Sequence, residues 1–600
     1  MPRTFAADPH SYARPNEVVV RHVALDLTVD FDAERLSGTA TLDLEHLTPG
    51  ADTLVLDTWR LDLAGVTDGE GADLPFDLGD HDEIFGQRLA ITVGDRDRVV
   101  IRYSTTGDAR ALQWLAPEQT ASGKRFLFTQ NQPILARTWI PSQDSPGVRT
   151  SYEAVVRVPS DLLAVMSSGT NPTERTDDGV YRFAMETPVP AYLIALAVGD
   201  LEFRELGERS GVYAEPSVVD AAAWEFADTE KMIAAAERLY GPYRWGRYDL
   251  LVLPPSFPYG GMENPCLTFA TPTLLAGDRS LVTVVAHELA HSWSGNLVTN
   301  STWNDIWLNE GFTVYFETRI DEEMYGAAYT SMLLRLGRQE LDQWLELEKP
   351  RDTWLELDLI DPDEGPSKIP YEKGSLFLRM IEAAVGREKF DVFLRGYFDR
   401  FAFESMDTAT FLAYLRSELL EPAGLSDDDL QIEAWVHAPG VPSNEPHFAS
   451  DAFDVVDEQV ALFLGGRPAG DLETADWVSQ QFWHFVRALP DDLPHERFDD
   501  VDAAFGFSTS GNIEIATAWL EKVIEAGYLF ERPEVDRAMA DFLTRHGRAL
   551  YIRKVYMKLA ETDRGLTRAR EVYAIARPGY HPVAQAQIDK VLGLTAPIVE

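Results

Sequence analysis

The run His287-Glu288-Leu289-Ala290-His291 has the residue types and the spacing of a metal site. On a helix, side chains four residues apart share one face, so both imidazoles can reach the same ion. Glu288 follows the first histidine and can act there as a general base. Glu310, nineteen positions after His291, can supply a third ligand from the next helix. Two histidines and one carboxylate leave a fourth position for water, as in catalytic zinc sites. The pattern therefore predicts a zinc hydrolase.

Two further carboxylates lie near this motif in the sequence. Glu317 is seven residues, about two helical turns, after Glu310 and falls on the same face, where it either supports a ligand or is a solvated glutamate. Upstream, Gly260 and Gly261 can bring backbone close to a ligand, and Glu263 beside them can receive a positive group such as an α-ammonium. An ordinary glycine-rich turn with a capping glutamate is the alternative interpretation.

The composition limits the kind of protein that carries these residues. The chain has 600 residues with 45% hydrophobic content, which suggests about three or four folded domains. Its formal charge of −45 argues against nucleic acid or an anionic membrane as the main partner, and the scattered charges favour solubility or a salt-adapted proteome. Cys266 is the only cysteine, so an intrachain disulfide is excluded. No signal peptide or membrane-spanning apolar stretch is recognisable, and we expect a soluble cytoplasmic protein.

The hydrophobic pattern divides the chain into regions that must position the motif. Alternating apolar and polar residues, as from Leu25 to Phe31, predict an all-β domain over residues 1–200. Residues 201–440 combine a helix over 221–240, a buried strand at Leu250–Leu253 and the two metal-binding helices. Prolines and glycines predict a linker over 441–455. Residues 456–600 contain successive amphipathic helices, including 477–489, 513–526, 535–546 and 568–575, which indicate a superhelical stack.

The motifs together identify a family resemblance. The segment Gly260-Gly261-Met262-Glu263-Asn264, with the histidine motif and Glu310, resembles the aminopeptidase N family of zinc metallopeptidases. Longer segments resemble the leukotriene A-4 hydrolase branch of that family, namely 113–119, 143–146, 253–269, 295–300, 371–374, 547–548 and 581–583. The resemblance covers essentially the whole chain. It implies a multidomain α+β protein: a saddle-like N-terminal β domain, a thermolysin-like catalytic domain and an α-helical C-terminal domain around a deep cleft.

The resemblance also implies roles for individual residues. Glu263 would bind the α-amino group of the substrate, assisted by Gln132 in the run Thr129-Gln130-Asn131-Gln132, and Gln130 of the same run would also bind substrate. Tyr371 would donate its hydroxyl to the tetrahedral oxyanion. Arg548 would pair with the carboxylate at the C-terminal end of a short peptide. Tyr259, Gly260 and Gly261 would line the substrate channel.

Two departures bear on the substrate. The epoxide-hydrolysing animal enzymes carry a lysine two residues after this arginine, where this chain has Leu550, and a tyrosine five residues before the catalytic one, where it has Pro366. The acid used in the epoxide reaction does have a counterpart, Asp363. These differences weaken a lipid substrate and leave peptide hydrolysis intact.

The sequence thus predicts an aminopeptidase with one zinc ion per chain that acts on short peptides with a free N-terminus, with the monomer favoured. Lipid epoxide hydrolysis, alone or as a second activity, is the alternative, and a non-catalytic binding scaffold is a third class. Endopeptidase action is disfavoured because Glu263 requires a free amine near the scissile bond.

Overall fold

The computed structural model describes residues 4–362, 367–448 and 451–594. It confirms the predicted multidomain α+β architecture, in which an N-terminal β part is followed by a mixed catalytic part and a helical C-terminal part. No helix within the described ranges has the length and apolar character needed to cross a membrane.

The N-terminal part is built from β-sheets. Its strands are β1 Val18–Asp30, β2 Arg35–His46, β3 Thr53–Thr58, β4 Asp62–Asp68, β5 Phe76–Leu78, β6 Gln87–Thr92, β7 Arg98–Ser104, β8 Leu112–Leu115, β9 Phe126–Thr129, β10 Arg149–Arg157, β11 Leu163–Met166, β12 Val180–Pro190 and β13 Leu196–Gly199. They form a six-stranded sheet in the order β12-β10-β1-β2-β7-β4, a four-stranded sheet β11-β13-β9-β8 and a three-stranded sheet β3-β6-β5.

The predicted alternation along β1 is confirmed. Leu25, Leu27 and Val29 are buried, whereas Asp26 and Asp30 between and after them are exposed. Because successive side chains of a strand point to opposite faces, one face of this sheet packs on the core and the other meets solvent.

The catalytic part begins with a mixed sheet in the order β14-β15-β16-β18-β17. Its strands are β14 Glu202–Glu205, β15 Ser210–Ala214, β16 Tyr248–Val252, β17 Gly261–Met262 and β18 Leu267–Ala270, and a small pair β19 Val298–Asn300 and β20 Glu404–Met406 follows. Strand β16 is the buried strand predicted at Leu250–Leu253. Strand β17 contains Gly261, so the sheet edge holds the glycine-rich segment next to the metal-binding helices.

Helices make up the rest of the catalytic part. They are α1 Val219–Glu225, α2 Thr229–Tyr240, α3 Thr283–Ala290, α4 Trp307–Tyr325, α5 Ala327–Leu347, α6 Ile369–Val385, α7 Arg387–Arg400, α8 Thr408–Leu415, α9 Glu421–Ala423, α10 Asp427–Leu430 and α11 Ile432–His437. The prediction of one helix over 221–240 is wrong, because the chain breaks between α1 and α2. At the break, the Glu225 carboxylate accepts hydrogen bonds from the backbone amides of Gly277 and Arg279.

Helices α4 and α6 cross at a pair of glycines. A Cβ on Gly311 would lie 2.8 Å from the Cα of Gly374 and 2.9 Å from the carbonyl oxygen of Pro370, so any larger residue would push the helices apart. Glu310 precedes one glycine and Tyr371 lies three residues before the other. The close crossing therefore brings these two side chains together.

The C-terminal part is helical, with α12 Asp454–Leu464, α13 Ser479–Ala488, α14 His495–Phe505, α15 Ile513–Glu525, α16 Pro533–Arg545, α17 Ala549–Ala560, α18 Asp563–Ala576 and α19 Pro582–Val591. The predicted helices are confirmed within two residues at their ends, except that α18 begins five residues earlier than expected. Helix α15 packs against α13 and α17, and α17 packs against α19. This stacking of alternate helices matches the predicted superhelical arrangement.

Candidate active site

Three predicted ligands converge where α3 meets α4. His287 lies on α3, His291 caps its end, and Glu310 lies in the first turn of α4. The Glu310 Oε2 atom is 3.5 Å from His287 Nε2 and 3.6 Å from His291 Nε2. The ring centroids of the two histidines are 4.9 Å apart, as expected for positions i and i+4 on one helical face.

The cluster fits a zinc ion. One ligand atom from each of the three side chains lies within 4.8 Å of the other two. Glu310 Oε2 is buried and has no hydrogen-bond donor among the described residues, which is costly for a carboxylate oxygen unless a cation binds it. Two imidazole nitrogens and one carboxylate oxygen are a donor set that zinc prefers.

The other nitrogen of each histidine is held by the protein. His287 Nδ1 lies 2.9 Å from a carboxylate oxygen of Glu317, and His291 Nδ1 lies 3.1 Å from the carbonyl oxygen of Ser294. Each Nδ1–H can donate to its partner, which leaves the Nε2 lone pair directed at the metal position. Of the two interpretations of Glu317, contact with a ligand is the one found here. Burial lowers the pKa of His291 to about 4, so its imidazole is neutral, as a metal ligand must be.

The Glu288 carboxylate lies against the glycine-rich strand. A Cβ on Gly261 would be 2.3 Å from Glu288 Oε1, so only glycine admits the carboxylate here. Burial, followed by the charges of Glu263 and Glu310, raises the pKa of Glu288 well above its usual range, while His287 acts in the opposite direction. A carboxyl in this setting is suited to taking up and releasing a proton.

Glu263 lies beside the metal cluster, with a carboxylate oxygen within 4.8 Å of ligand atoms of Glu288 and His291. Glu263 is buried, and its Oε1 atom has no hydrogen-bond partner among the described residues. Gln130 is also buried; its Nε2 donates to Met262 Sδ at 3.4 Å, and its Oε1 likewise has no partner in the part of the chain that is described. Burial and the charge of Glu310 raise the pKa of Glu263 to about 8. Gln132, the other glutamine considered, is half-buried and precedes the cis bond to Pro133.

Tyr371 covers the cluster from α6. Its ring stacks on His287, with centroids 6.3 Å apart and an interplanar angle of 15°. Its hydroxyl lies beside the Glu310 carboxylate, and burial together with that charge raises its pKa well above 10. The ammonium group of Lys368 lies 4.5 Å from the tyrosine ring centroid. Tyr371 is therefore protonated and able to donate a hydrogen bond.

Arg548 approaches the same glycine-rich segment from the C-terminal part. A Cβ on Gly260 would lie 2.7 Å from Arg548 Nη2, so glycine makes room for the guanidinium. Arg548 Nη1 donates to Thr273 Oγ1 at 3.3 Å, and the guanidinium lies 4.8 Å from the centroid of Tyr551. Leu550, which stands where the epoxide-hydrolysing animal enzymes carry a lysine, is an exposed apolar residue.

Not every predicted site residue lies in this group. Tyr259 is exposed, with its ring against Phe257. Asp363 and Pro366 lie outside the described residues, so the epoxide-related positions are not placed.

Sequence reasoning missed Asn309. It is fully buried between Glu263 and His291, with its Oδ1 facing the Cα of Gly295. Its position directly before Glu310 is the one sequence signal that points to it.

Three family models and several known proteins match this chain. The family model described as Peptidase M1 N-terminal domain matches residues 9–193, Peptidase family M1 domain matches 224–432, and Leukotriene A4 hydrolase, C-terminal matches 477–592. The chain is 37% identical to leukotriene A-4 hydrolase of Xenopus laevis over 98% of this chain and 100% of that protein. It is 38% identical to leucine aminopeptidase 2 of Yarrowia lipolytica over 98% of this chain and 93% of that one.

A solved structure extends the comparison to the fold. The yeast LTA4 hydrolase in complex with bestatin superimposes with a TM-score of 0.89, at 35% identity, covering 99% of this chain and 98% of that chain. The three-part architecture is therefore shared along the whole length of the molecule.

Proposed function

The chain belongs to peptidase family M1 and is a zinc-dependent aminopeptidase, and we propose that it removes single residues from the free amino ends of short peptides. The observation that carries this proposal is the Glu263 carboxylate, which is buried beside the metal cluster and whose Oε1 atom has no hydrogen-bond partner in the described parts of the chain. Such a group is stabilised by a buried cation, and a peptide α-ammonium is one. An amine bound there places the first peptide bond of the substrate at the metal position.

When zinc is bound by His287, His291 and Glu310, it supplies Lewis acidity that activates water and polarises the carbonyl. Glu288 accepts the proton of the attacking water on its carboxylate and delivers it to the nitrogen of the departing amine. Glu317 and the Ser294 carbonyl keep the two imidazoles in the required tautomers.

Two side chains bind the remaining parts of the substrate. The Tyr371 hydroxyl donates to the oxygen that gains negative charge during the attack. Arg548 pairs with the carboxylate at the far end of the peptide, which restricts the substrates to short ones. Gln130 is the better-placed glutamine for the amine, because it contacts Met262 next to Glu263.

The oligomeric state and the cellular location of the enzyme are also proposals. We infer that it acts as a monomer in the cytoplasm, where its single buried cysteine fits a reducing compartment.

The exchange of Glu263 for glutamine tests the amine-binding role. Glu263→Gln keeps the shape of the side chain and removes its charge, so kcat/KM for a free tripeptide should fall by about tenfold to a hundredfold. Activity on the N-acetylated tripeptide, already low, should stay unchanged. A parallel loss on both substrates would contradict the role.

Lipid epoxide hydrolysis remains the second candidate, because one similar protein is a leukotriene A-4 hydrolase. The apolar Leu550 where the animal enzymes carry a lysine counts against it. Incubation of the purified protein with leukotriene A-4 decides the question: a dihydroxy acid product that is lost on Asp363→Asn would support this activity, and absence of product would end it.

A further inference from the structure

We propose that Asn296 is a positioning residue that fixes the distance between the amine-binding Glu263 and the metal ligands, and that Arg149 of the N-terminal part holds it in place. The proposal rests on the amine-binding role of Glu263 proposed above. Both residues would act through the groups that bind the metal and the substrate amine.

Asn296 bridges two parts of the active site. Its side-chain Nδ2 donates to the backbone carbonyl of Glu263 at 2.7 Å. Its backbone N–H donates to the backbone carbonyl of His291 at 3.0 Å. Asn296 is only 2% exposed, so water does not compete for these bonds. One residue therefore joins the end of the metal-binding helix to the segment that carries the amine-binding carboxylate.

Arg149 holds the segment that contains Asn296. It begins strand β10 in the N-terminal part and is buried. Its Nη2 donates to the carbonyl oxygen of Asn296 and to Thr299 Oγ1, while its Nη1 donates to the carbonyl oxygen of Pro188 at 3.0 Å. A guanidinium can satisfy several acceptors at once because its donors form a rigid fork. Arg149 thus links the N-terminal part directly to the segment that contains Asn296 and Thr299.

The consequence concerns which peptide bond is cleaved. An aminopeptidase must hold the substrate amine at a fixed distance from the attacked carbonyl of the same first residue, and a misplacement of about 1 Å costs much of the rate. Asn296 links the two groups that define this distance. Loss of this link should leave the metal site intact. It should also reduce the difference in kcat/KM between a substrate with a free amine and one without it.

The test compares Asn296→Ala with Asn300→Ala. Asn300 is a matched control: it lies four residues further along the same segment, is fully buried, and donates from Nδ2 to a backbone carbonyl, that of Thr302 at 2.9 Å. For each protein, kcat/KM is measured on a tripeptide and on its analogue that lacks the α-amino group, together with zinc content. The ratio of the two kcat/KM values reports amine recognition, and a general loss of stability does not change it.

We expect Asn296→Ala to lower this ratio by about tenfold, the effect of one lost hydrogen bond, with zinc content unchanged. Asn300→Ala should keep the wild-type ratio. Arg149→Lys, which retains the charge and loses the fork, should lower the ratio in the same direction. An unchanged ratio in Asn296→Ala, or an equal fall in Asn300→Ala, would overturn the proposal.

The same assay on Glu263→Ala separates this proposal from the one it rests on. If Glu263→Ala keeps the wild-type ratio, the amine-binding role itself is wrong. If Glu263→Ala collapses the ratio and Asn296→Ala does not, only the positioning role fails.

Discussion

At the scale of single residues, the three central carboxylates differ in what lies against each. Glu310 faces two imidazole nitrogens at 3.5 and 3.6 Å, which suits a metal ligand. Glu288 faces the bare Cα of Gly261, and Glu263 Oε1 has no hydrogen-bond partner among the described residues. The same functional group thus serves as ligand, base and amine acceptor because its surroundings differ.

The role of Glu288 predicts a clean separation of metal binding from turnover. Glu288→Gln removes the proton acceptor and leaves His287, His291 and Glu310 in place. We expect about one zinc per chain, as in the wild type, and a loss of kcat of about a hundredfold to ten-thousandfold. Metal analysis of the purified variant beside its peptidase rate provides the measurement. A variant that retained more than a tenth of the rate would show that Glu288 is not the base.

At the scale of elements, strand β17 and the residue before it make room for two side chains with different functions. Each glycine of the pair accommodates a different side chain: Arg548 beside Gly260, and Glu288 beside Gly261. The two glycines therefore have separable effects, although they are adjacent in the sequence.

Alanine at each position should produce different kinetic defects. Gly261→Ala would displace the Glu288 carboxylate and should lower kcat on every substrate. Gly260→Ala would displace the flexible end of Arg548 and should raise KM for tripeptides, while an aminoacyl-anilide, which lacks a terminal carboxylate, should be cleaved normally. Steady-state kinetics of both variants on both substrates tests this. Identical defects in the two variants would contradict the assignment.

Helix α6, which carries Tyr371, is anchored by a buried lysine. Lys373 is fully buried and donates from Nζ to the carbonyl oxygens of Thr353 and Ala438 at 2.8 and 2.9 Å. Burial lowers its pKa from 10.5 to about 7. Between these two values the unfolded chain binds more protons than the folded one, so the free energy of unfolding should rise with pH.

Exchange of this lysine for methionine should remove that pH dependence. Relative to wild type, the free energy of unfolding of Lys373→Met should fall by up to about 1.4 kcal/mol per pH unit as the pH rises from about 7 towards 10. Below pH 7 the difference between the two proteins should be constant. Denaturant unfolding over a series of pH values measures it, and parallel curves for the two proteins would refute the shifted pKa.

Element boundaries also mark where sequence reasoning succeeds. Periodicity located strand β1 and the C-terminal helices, because each pattern is decided by neighbours along the chain. It did not locate the break between α1 and α2. The partners of Glu225 at that break, Gly277 and Arg279, lie more than fifty residues away, and no local pattern contains them.

At the scale of the whole molecule, the metal site was predictable from the sequence, whereas the long-range contacts around it were not. Four residues within two short motifs define the zinc centre, so their types and spacing were sufficient. Arg149 and Asn296 are 147 residues apart, and the contact exists only because the β part packs on the catalytic part. The family resemblance pointed to Arg548, whereas its distance from Gly260 required the folded molecule.

The central claim is that this chain is a zinc aminopeptidase that removes residues one at a time from the free amino end. The most direct measurement is digestion of a peptide mixture by the purified, zinc-loaded protein, with product identification by mass spectrometry, with and without a chelator. The account predicts single residues released in order from free N-termini, none from acetylated peptides, and no release after chelation. Internal cleavage, or release that persists without metal, would contradict it.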